Sequence, residues 1–317
     1  MQEKYCTITI DVEPDCDVFW HRSNPLTFKS IISGVPKLLR PLWNKYNINP
    51  VYFVSPEVAE NEKCCEILKT EIKLGAEIGT HLHAEYISPQ KKFEKYDGTL
   101  SKEYPCSAYS KEIEFQKIKS LTELIEKNIG VKPISYRAAR FGADIDTIES
   151  LYKLGYKIDS SVTPNIDWSK QGGPNFKNFF DQPYFVDLND FKKENINSGI
   201  LEVPITIEKK RLPFLSDEWF CHRWLRPSHM TVWEQKILIN EFENKYTYNE
   251  SIVLNMMFHS MEVIPGASPF VRTLLGKKFF MRRLSKIIIY LNNNNYQFIT
   301  LENIYEQKKK DINMGSG

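Results

Sequence analysis

The sequence predicts an α/β fold in which a mostly parallel sheet closes into a barrel. Short runs of apolar and β-branched residues alternate with longer segments of helical periodicity, the pattern of strands that are each followed by a covering helix. The number of repeats favours a closed barrel over an open, doubly wound sheet. The chain contains neither a G-x-G-x-x-G segment nor a P-loop, which argues against a nucleotide-binding sheet.

The predicted strands and helices alternate along the whole chain. Strands are predicted at residues 6–10, 51–54, 76–79, 134–137, 157–161, 184–188, 201–207, 252–258 and 297–300. Helices are predicted at residues 30–46, 56–74, 111–128, 144–154, 231–245 and 271–292. Two polar, turn-rich segments, 90–107 and 165–182, follow strands and are expected to form long loops around the active face.

The chain is expected to fold as a single domain. Its 317 residues suit one barrel, and neither a biased linker nor an internal repeat divides them. The barrel is assigned to residues 1–313, and residues 314–317 are interpreted as a short tail outside it.

The amino-acid composition limits the kinds of partner and cellular environment to be expected. The 42 Lys and Arg and the 40 Asp and Glu are spread along the chain without a basic stripe, which argues against nucleic acid. The six cysteines include no C-x-x-C pair, which favours free, reduced thiols. Because neither a signal peptide nor a long apolar segment is visible, we expect a cytoplasmic protein with at most peripheral membrane contact.

Two carboxylates follow the first predicted strand. Residues 9–14 read TIDVEP, so Asp11 and Glu13 are two positions apart and share one face of an extended segment. One such carboxylate can bind a cation while the other accepts a proton. A solvated acidic loop is the alternative interpretation.

A second cluster follows the third predicted strand. Residues 77–85 read EIGTHLHAE, in which His81, His83 and Glu85 alternate. Imidazole nitrogens and a carboxylate oxygen suit zinc, with iron, cobalt or nickel as substitutes. A single histidine here would usually be structural, but two histidines beside a carboxylate favour a metal site.

Further polar residues close later strands. Residues 135–142 read SYRAARFG and place Arg137 and Arg140 at a strand end, where one could hold a site carboxylate ionised. His259 closes an apolar strand and is a candidate general acid. Plain surface charge is the alternative for the arginines, and a structural role is the alternative for His259.

Together with residues 159–161 (DSS), these segments resemble, in order, the five motifs of the polysaccharide deacetylase family, also called NodB-homology or carbohydrate esterase family four. They extend from residue 9 to residue 262. The resemblance implies a distorted, seven-stranded (β/α) barrel of NodB-like form. It also implies a divalent metal, usually zinc, at the C-terminal face, which the family typically holds with one carboxylate and two histidines.

The resemblance implies roles for the proton-handling residues. Asp11 takes the place of the catalytic base, Arg137 that of the arginine that orients it, and His259 that of the general acid. The metal-binding Asp that usually follows the base is Val12 here, so Glu13 is the expected replacement.

The second motif departs from the family pattern. It normally reads H-x-x-x-H, and His81 matches its first histidine, whereas Glu85 occupies the second position. Either Glu85 or His83 is therefore expected to complete the metal site.

Other residues are expected near the substrate. Phe141 matches the aromatic residue of the third motif, and Arg140 is expected beside it. Phe258 and Met257 are expected near a pocket for the acyl methyl group. Stacking or hydrogen bonding to a sugar is expected from a later segment, at Trp219, Phe220, Trp224 and Arg226, and an aromatic core segment is the alternative interpretation.

The implied function is metal-dependent removal of an N-acyl group, usually acetyl, from an amino sugar. The sugar could be nucleotide-linked, lipid-linked or part of a polymer, and the segment 258–266 resembles a branch associated with surface-polysaccharide biosynthesis. Two alternatives remain. One is a deformylase or other amide hydrolase on the same scaffold, and the other is a non-catalytic carbohydrate-binding barrel.

Overall fold

The fold is built on one large, mostly parallel sheet and a short separate hairpin. The computed structural model describes residues 2–92, 103–209, 222–249 and 251–315. Its strands are β1 (Glu3–Val12), β2 (Val51–Val54), β3 (Glu77–Leu82), β4 (Ser135–Ala138), β5 (Ile158–Asp159), β6 (Tyr184–Asp187), β7 (Asp190–Glu194), β8 (Leu201–Glu202), β9 (Ile207–Lys209), β10 (His222–Trp224), β11 (Ser251–His259) and β12 (Gln297–Phe298).

The order of the large sheet is β11-β1-β2-β3-β4-β5-β8-β6-β7, with β12 also paired to β1. Strands β11 to β8 run parallel, and β6 and β7 add an antiparallel end. The predicted distorted barrel is thus confirmed as a curled sheet. Within the described chain no continuous ladder joins its two ends. Instead, single bonds bridge the gap, such as Thr206 N donating to Asn255 O over 3.2 Å.

One predicted strand is divided in the structure. The run 201–207 was expected to be continuous, but it forms β8 and then β9, which pairs with β10 outside the large sheet. Pro204 lies between the two strands and lacks an N–H to donate to a ladder, which explains the break.

Helices cover the outside of the sheet. A π-helical segment, Ser30–Leu39, continues into α1 (Arg40–Tyr46), so the predicted helix 30–46 is confirmed. The predicted helix 56–74 is divided where the Asn61 side chain caps a new helix by accepting from Cys64 N. The helices after α1 are α2 (Pro56–Ala59), α3 (Glu62–Lys73), α4 (Pro105–Ala108), α5 (Lys111–Ile129), α6 (Ile145–Leu154), α7 (Val232–Lys245), α8 (Leu274–Asn293) and α9 (Leu301–Gly315).

Helix α9 was not predicted, and it includes the first two residues of the segment 314–317 that was interpreted as a tail. Across the described chain, every helix falls short of the length or the apolarity that crossing a bilayer requires.

The strands of the barrel separate two apolar clusters. Ile8 and Ile10 of β1 pack in the larger cluster beneath the helices, whereas Tyr5 belongs to a smaller cluster that contains Leu301 of α9. Successive side chains of a strand point to opposite faces, so the odd-numbered residues of β1 face the barrel interior. This interior series starts at Tyr5 and ends with Asp11 at the carboxyl end of the sheet.

Candidate active site

A cavity of about 310 Å³ opens at the carboxyl ends of β1, β3, β4 and β11. Barrel enzymes place their sites at this end because the loops that follow the strands converge there. The loops predicted to surround the active face contribute Tyr104, Trp168 and Gln171. The full lining is Asp11, Glu13, Cys16, Trp20, Arg22, His81, His83, Tyr86, Tyr104, Ala138, Arg140, Phe141, Trp168, Gln171, Arg226, His259 and Phe270.

A buried ion pair lies at the floor of this cavity. Arg137 Nη1 donates to Asp11 Oδ1 over 2.7 Å, and both side chains are almost wholly buried. Burial by itself would raise the pKa of Asp11, but the guanidinium of Arg137, with His81 and His259 nearby, outweighs it and lowers that pKa. Asp11 is therefore held as a carboxylate.

Arg137 is itself fixed by the layer below. Its Nη2 donates to Thr9 Oγ1 (2.8 Å) and Ser160 Oγ (3.0 Å), and its Nε donates to Ser160 O (2.9 Å). The guanidinium carbon lies 4.4 Å from the centre of the Phe53 ring. This layer leaves Arg137 little freedom, so the orientation of Asp11 is fixed from below.

Three side chains form a compact set of potential metal ligands. Glu13, His81 and His83 each offer one ligand atom, and these atoms all lie within 4.8 Å of one another. His81 Nε2 is 3.3 Å from Glu13 Oε1, and His83 Nε2 is 3.4 Å from Glu13 Oε2. Burial would raise the pKa of Glu13, but His83 and His81 lower it well below its ordinary value.

The donor chemistry of this set fits a divalent cation such as zinc. His81 Nδ1 lies 3.0 Å from the carbonyl oxygen of Arg137. Because a carbonyl only accepts, Nδ1 carries the hydrogen and Nε2 keeps its lone pair toward the cluster, the usual arrangement of a metal-bound histidine. Both ring nitrogens of His83 are buried without a hydrogen bond of normal geometry to the described residues, so the ring is not committed to another hydrogen-bond partner.

Glu85 lies outside this set. Its Oε1 is 3.7 Å from His83 Nδ1, on the far side of the ring from the nitrogen that faces Glu13, and it accepts from Arg140 Nη2 over 3.1 Å. Burial opposes ionisation, but His83 and Arg140 lower the pKa of Glu85 well below its ordinary value. Of the two residues expected to complete the metal site, His83 is the one that lies with Glu13 and His81.

His259 approaches from the opposite wall. It is the last residue of β11, and its Nε2 lies 3.9 Å from Asp11 Oδ2 and 3.7 Å from Glu13 Oε1. Its Nδ1 is 2.8 Å from Arg226 Nη2 and 3.1 Å from Glu262 Oε1. Burial would raise the pKa of Glu262, but Arg226 and His259 lower it to about 2. Contacts at Nδ1 therefore fix the orientation of the His259 ring, and Nε2 is directed into the cavity.

Each carboxylate of the site is paired with an arginine, and local sequence patterns do not reveal all of these pairs. Arg22, on the loop after β1, is buried, pairs with Glu13 Oε2 (3.3 Å) and with Glu57, and lies 4.5 Å from the Tyr86 ring centre. No motif or periodicity marks Arg22, because its position depends on how an irregular loop returns to the strand.

Aromatic rings form the upper walls of the cavity. Phe141 stacks on Trp168 with ring centres 6.4 Å apart and planes 17° apart. Trp20 meets the His259 ring edge-on at 5.5 Å and the Phe270 ring at 5.4 Å. Trp20, Trp168 and Phe270 had no recognisable signal in the sequence, because they lie on loops.

Two residues expected near the substrate lie elsewhere. Phe258 is fully buried and packs on Phe280, since alternate residues of β11 face the helices rather than the cavity. Trp224 is also fully buried and packs behind Phe141, with ring centres 5.9 Å apart. Met257 is buried and is not part of the lining, and Trp219 and Phe220 lie outside the described residues.

Comparison with known proteins finds similarity only at the level of structure. No family model and no curated protein matches the sequence. A structure assigned as a polysaccharide deacetylase of Mycobacterium smegmatis has a TM-score of 0.55 at 16% identity, over 98% of this chain and 92% of that chain. One assigned as a polysaccharide deacetylase of Pseudomonas aeruginosa PAO1 has a TM-score of 0.57 at 12% identity, over 95% and 89%.

An allantoinase has a TM-score of 0.53 at 12% identity, over 95% of this chain and 89% of that chain. At these identities the likeness concerns the fold, and it spans nearly the whole of each chain. The resemblance drawn from the sequence motifs is thus confirmed for the architecture: this chain has the NodB-like fold of the polysaccharide deacetylases.

Proposed function

We propose that the protein is a metal-dependent deacetylase that hydrolyses the N-acetyl group of an amino sugar in a glycan or glycan precursor. The observation that supports it most is the convergence of Asp11, the Glu13–His81–His83 set and His259 in one cavity. These residues come from the carboxyl ends of three strands and the loops that follow them. A proton acceptor, a set of metal donors and a second proton carrier are the groups that amide hydrolysis requires.

The metal would be held by Glu13, His81 and His83. Two nitrogen donors and one oxygen suit zinc, and a divalent cation bound there would supply Lewis acidity that polarises a carbonyl and acidifies water. Arg22 and Glu85 act behind these donors: Arg22 contacts the second oxygen of Glu13, and Glu85 faces Nδ1 of His83.

Asp11 serves as the general base. Its Oδ1 is engaged by Arg137, which leaves Oδ2 directed toward the cavity. Because Arg137 keeps the carboxylate ionised, Asp11 can accept the proton of an attacking water molecule. Arg137 is a positioning residue, since it acts on the substrate only through Asp11.

His259 serves as the general acid. Glu262, itself paired with Arg226, can accept from Nδ1 of the ring, so Nε2 faces the space beside Asp11 where a leaving amine would lie. An amine is a poor leaving group unless it is protonated, and a positioned imidazolium can deliver that proton.

The walls of the cavity suit a sugar. Phe141, Trp168, Trp20 and Phe270 offer flat apolar surfaces, and Arg140 and Gln171 offer polar groups among the lining residues. Aromatic faces with a few polar groups are common in carbohydrate sites. This lining is compatible with an amino sugar that is nucleotide-linked, lipid-linked or part of a polymer.

The test is acetate release by the purified, zinc-loaded protein from a panel of N-acetylhexosamine substrates, with the D11N variant in parallel. Release that depends on both metal and Asp11 supports the proposal. A parallel assay for formate and for allantoin hydrolysis tests the rival amide hydrolases, of which the allantoinase fold relative makes the second worth including. Saccharide binding without metal and without turnover would instead indicate a carbohydrate-binding barrel.

A further inference from the structure

The outward face of α8 (Leu274–Asn293) combines apolar and basic side chains. Its buried residues are Phe280, Leu284, Ile287, Ile288 and Leu291, which face the sheet. The opposite face repeats every three or four positions and consists of Leu275, Lys278, Phe279, Arg282, Lys286 and Ile289. We call these six residues the α8 outer face.

Several large apolar side chains on or beside this face are exposed to solvent. Leu275 is 59% exposed and Phe279 is 48% exposed, and the adjacent Leu274 at the start of the helix is 72% exposed. Single exposed apolar residues are ordinary, but several on one helical face indicate a contact surface.

The segment that contains the α8 outer face carries charge of a single sign. Between Glu262 and Glu302 the chain has six Lys and Arg and no Asp or Glu, although the whole protein carries a net charge of only +2. None of Lys278, Arg282 and Lys286 forms an ion pair within the described parts of the chain. A surface of leucine, phenylalanine and unpaired cations is complementary to an anionic layer with an apolar interior.

This face begins close to the cavity. Phe270 lines the cavity wall beside Trp20, and Leu274 follows four residues later. Four residues span at most about 14 Å even when fully extended. A layer that contacts the start of α8 therefore lies at the rim of the candidate active site.

We propose that the α8 outer face docks on the surface of an anionic membrane and brings the cavity to an amino sugar carried on a lipid. The choice of a lipid-linked substrate rests on the proposed deacetylase function, whereas the docking itself does not. Phe279, Leu274 and Leu275 insert at the boundary between head groups and acyl chains, and Lys278, Arg282 and Lys286 contact anionic head groups.

The test is sedimentation of the full chain with vesicles of phosphatidylcholine alone or mixed with phosphatidylglycerol. The protein is expected to bind the mixed vesicles and to dissociate as salt is raised, because salt screens the head-group contacts. The K278Q/R282Q/K286Q variant is expected to lower the partition coefficient at least about tenfold. The L275S/F279S variant is expected to lower it as well.

Matched control variants distinguish vesicle binding through the α8 outer face from nonspecific binding. W233S removes a 71% exposed tryptophan from α7, and K63Q/K73Q/K119Q removes three cations from α3 and α5. Both controls should bind as the wild type does. D11N should also keep full vesicle binding, so a failure of the deacetylase proposal is distinguishable from a failure of docking.

Four outcomes would overturn the proposal. Three concern vesicle binding: its absence in the wild type, equal binding to neutral and anionic vesicles, and equal loss of binding in the control variants. A concentration-dependent dimer in light scattering that L275S/F279S abolishes would also overturn it, since a second copy of the chain would then cover this face.

Discussion

His259 lies opposite Asp11 in neighbouring parallel strands, and its Nε2 is 3.9 Å from Oδ2 of Asp11. The β1–β11 ladder runs without a shift from Glu3 and Ser251 to this pair, so the two residues share the pleat that faces the cavity. A slip of one residue would turn His259 toward the helices, because side chains alternate between the two faces. The register of this one ladder therefore aligns the proposed base and acid.

Replacing Asp11 should separate catalysis from metal binding. In D11N the amide oxygen can still accept from Arg137, so the fold should persist, but the base is gone. Turnover is expected to fall by about 10²–10⁴-fold while metal content stays near that of the wild type. H81A should lose both turnover and bound metal. Acetate release and elemental analysis of the two variants check this, and wild-type turnover in D11N would refute the assignment of the base.

Replacing Arg137 should move the pH profile of the reaction. Arg137 holds the pKa of Asp11 low, so in R137Q that pKa rises and the acid limb of kcat/KM is expected to move to higher pH. R137K keeps the charge and should keep the limb nearer to that of the wild type. An unchanged limb in R137Q would show that Asp11 is not the group that titrates there.

R137Q should also destabilise the protein. It leaves the buried Asp11 carboxylate without its cation, a change that costs about 3–5 kcal/mol at buried pairs. Chemical denaturation of R137Q and R137K at pH 7 measures the difference.

His83 and Glu85 should differ sharply in their effect on metal. H83A removes a donor and is expected to abolish stoichiometric binding. E85Q removes only the carboxylate that faces Nδ1 of His83, and it is expected to weaken affinity by about 10–100-fold. Zinc titration against a competing chelator compares them. The reverse order would place Glu85 rather than His83 among the ligands.

Glu114 should make stability depend on pH. Burial, then the nearby carboxylates Asp144 and Asp146, raises its pKa to about 8, although a bond from Thr147 opposes this. The folded state therefore binds a proton that the unfolded chain releases above its ordinary pKa. Protonated Glu114 therefore makes its full contribution to the free energy of unfolding at low pH. That contribution is lost as the pH rises to about 8, by at most about 1.4 kcal/mol per pH unit.

The E114Q variant should remove this dependence, since its amide oxygen still accepts from Thr147. Its free energy of unfolding is expected to match that of the wild type near pH 5 and to exceed it at pH 8. E126Q, an exposed change on the same helix, is the control. Parallel pH curves for wild type and E114Q would show that Glu114 is ionised in the folded protein.

Local periodicity was enough to predict most of the fold. The strand and helix patterns fell at the observed elements within a few residues, because which face of a segment is buried depends mainly on the spacing of its own apolar residues. The motif order also placed Asp11, His81 and His259 at strand ends, and parallel strands bring those ends to the same edge of a sheet.

Local periodicity and motif order do not predict pairings between distant loops. Arg22 meets Glu13, and Arg226 meets Glu262 and His259, only because the sheet curls and its loops return over the cavity. The same is true of α9, which completes the interior cluster through Leu301.

Local patterns of apolar and titratable side chains are sufficient to predict the layered α/β architecture and the residue types available for amide hydrolysis. The folded chain adds that His83 rather than Glu85 lies with Glu13 and His81, and that Phe258 and Trp224 lie in the core. Spacing along a strand sets the face of a side chain, whereas its distance to another side chain depends on how strands and loops far apart in sequence pack together.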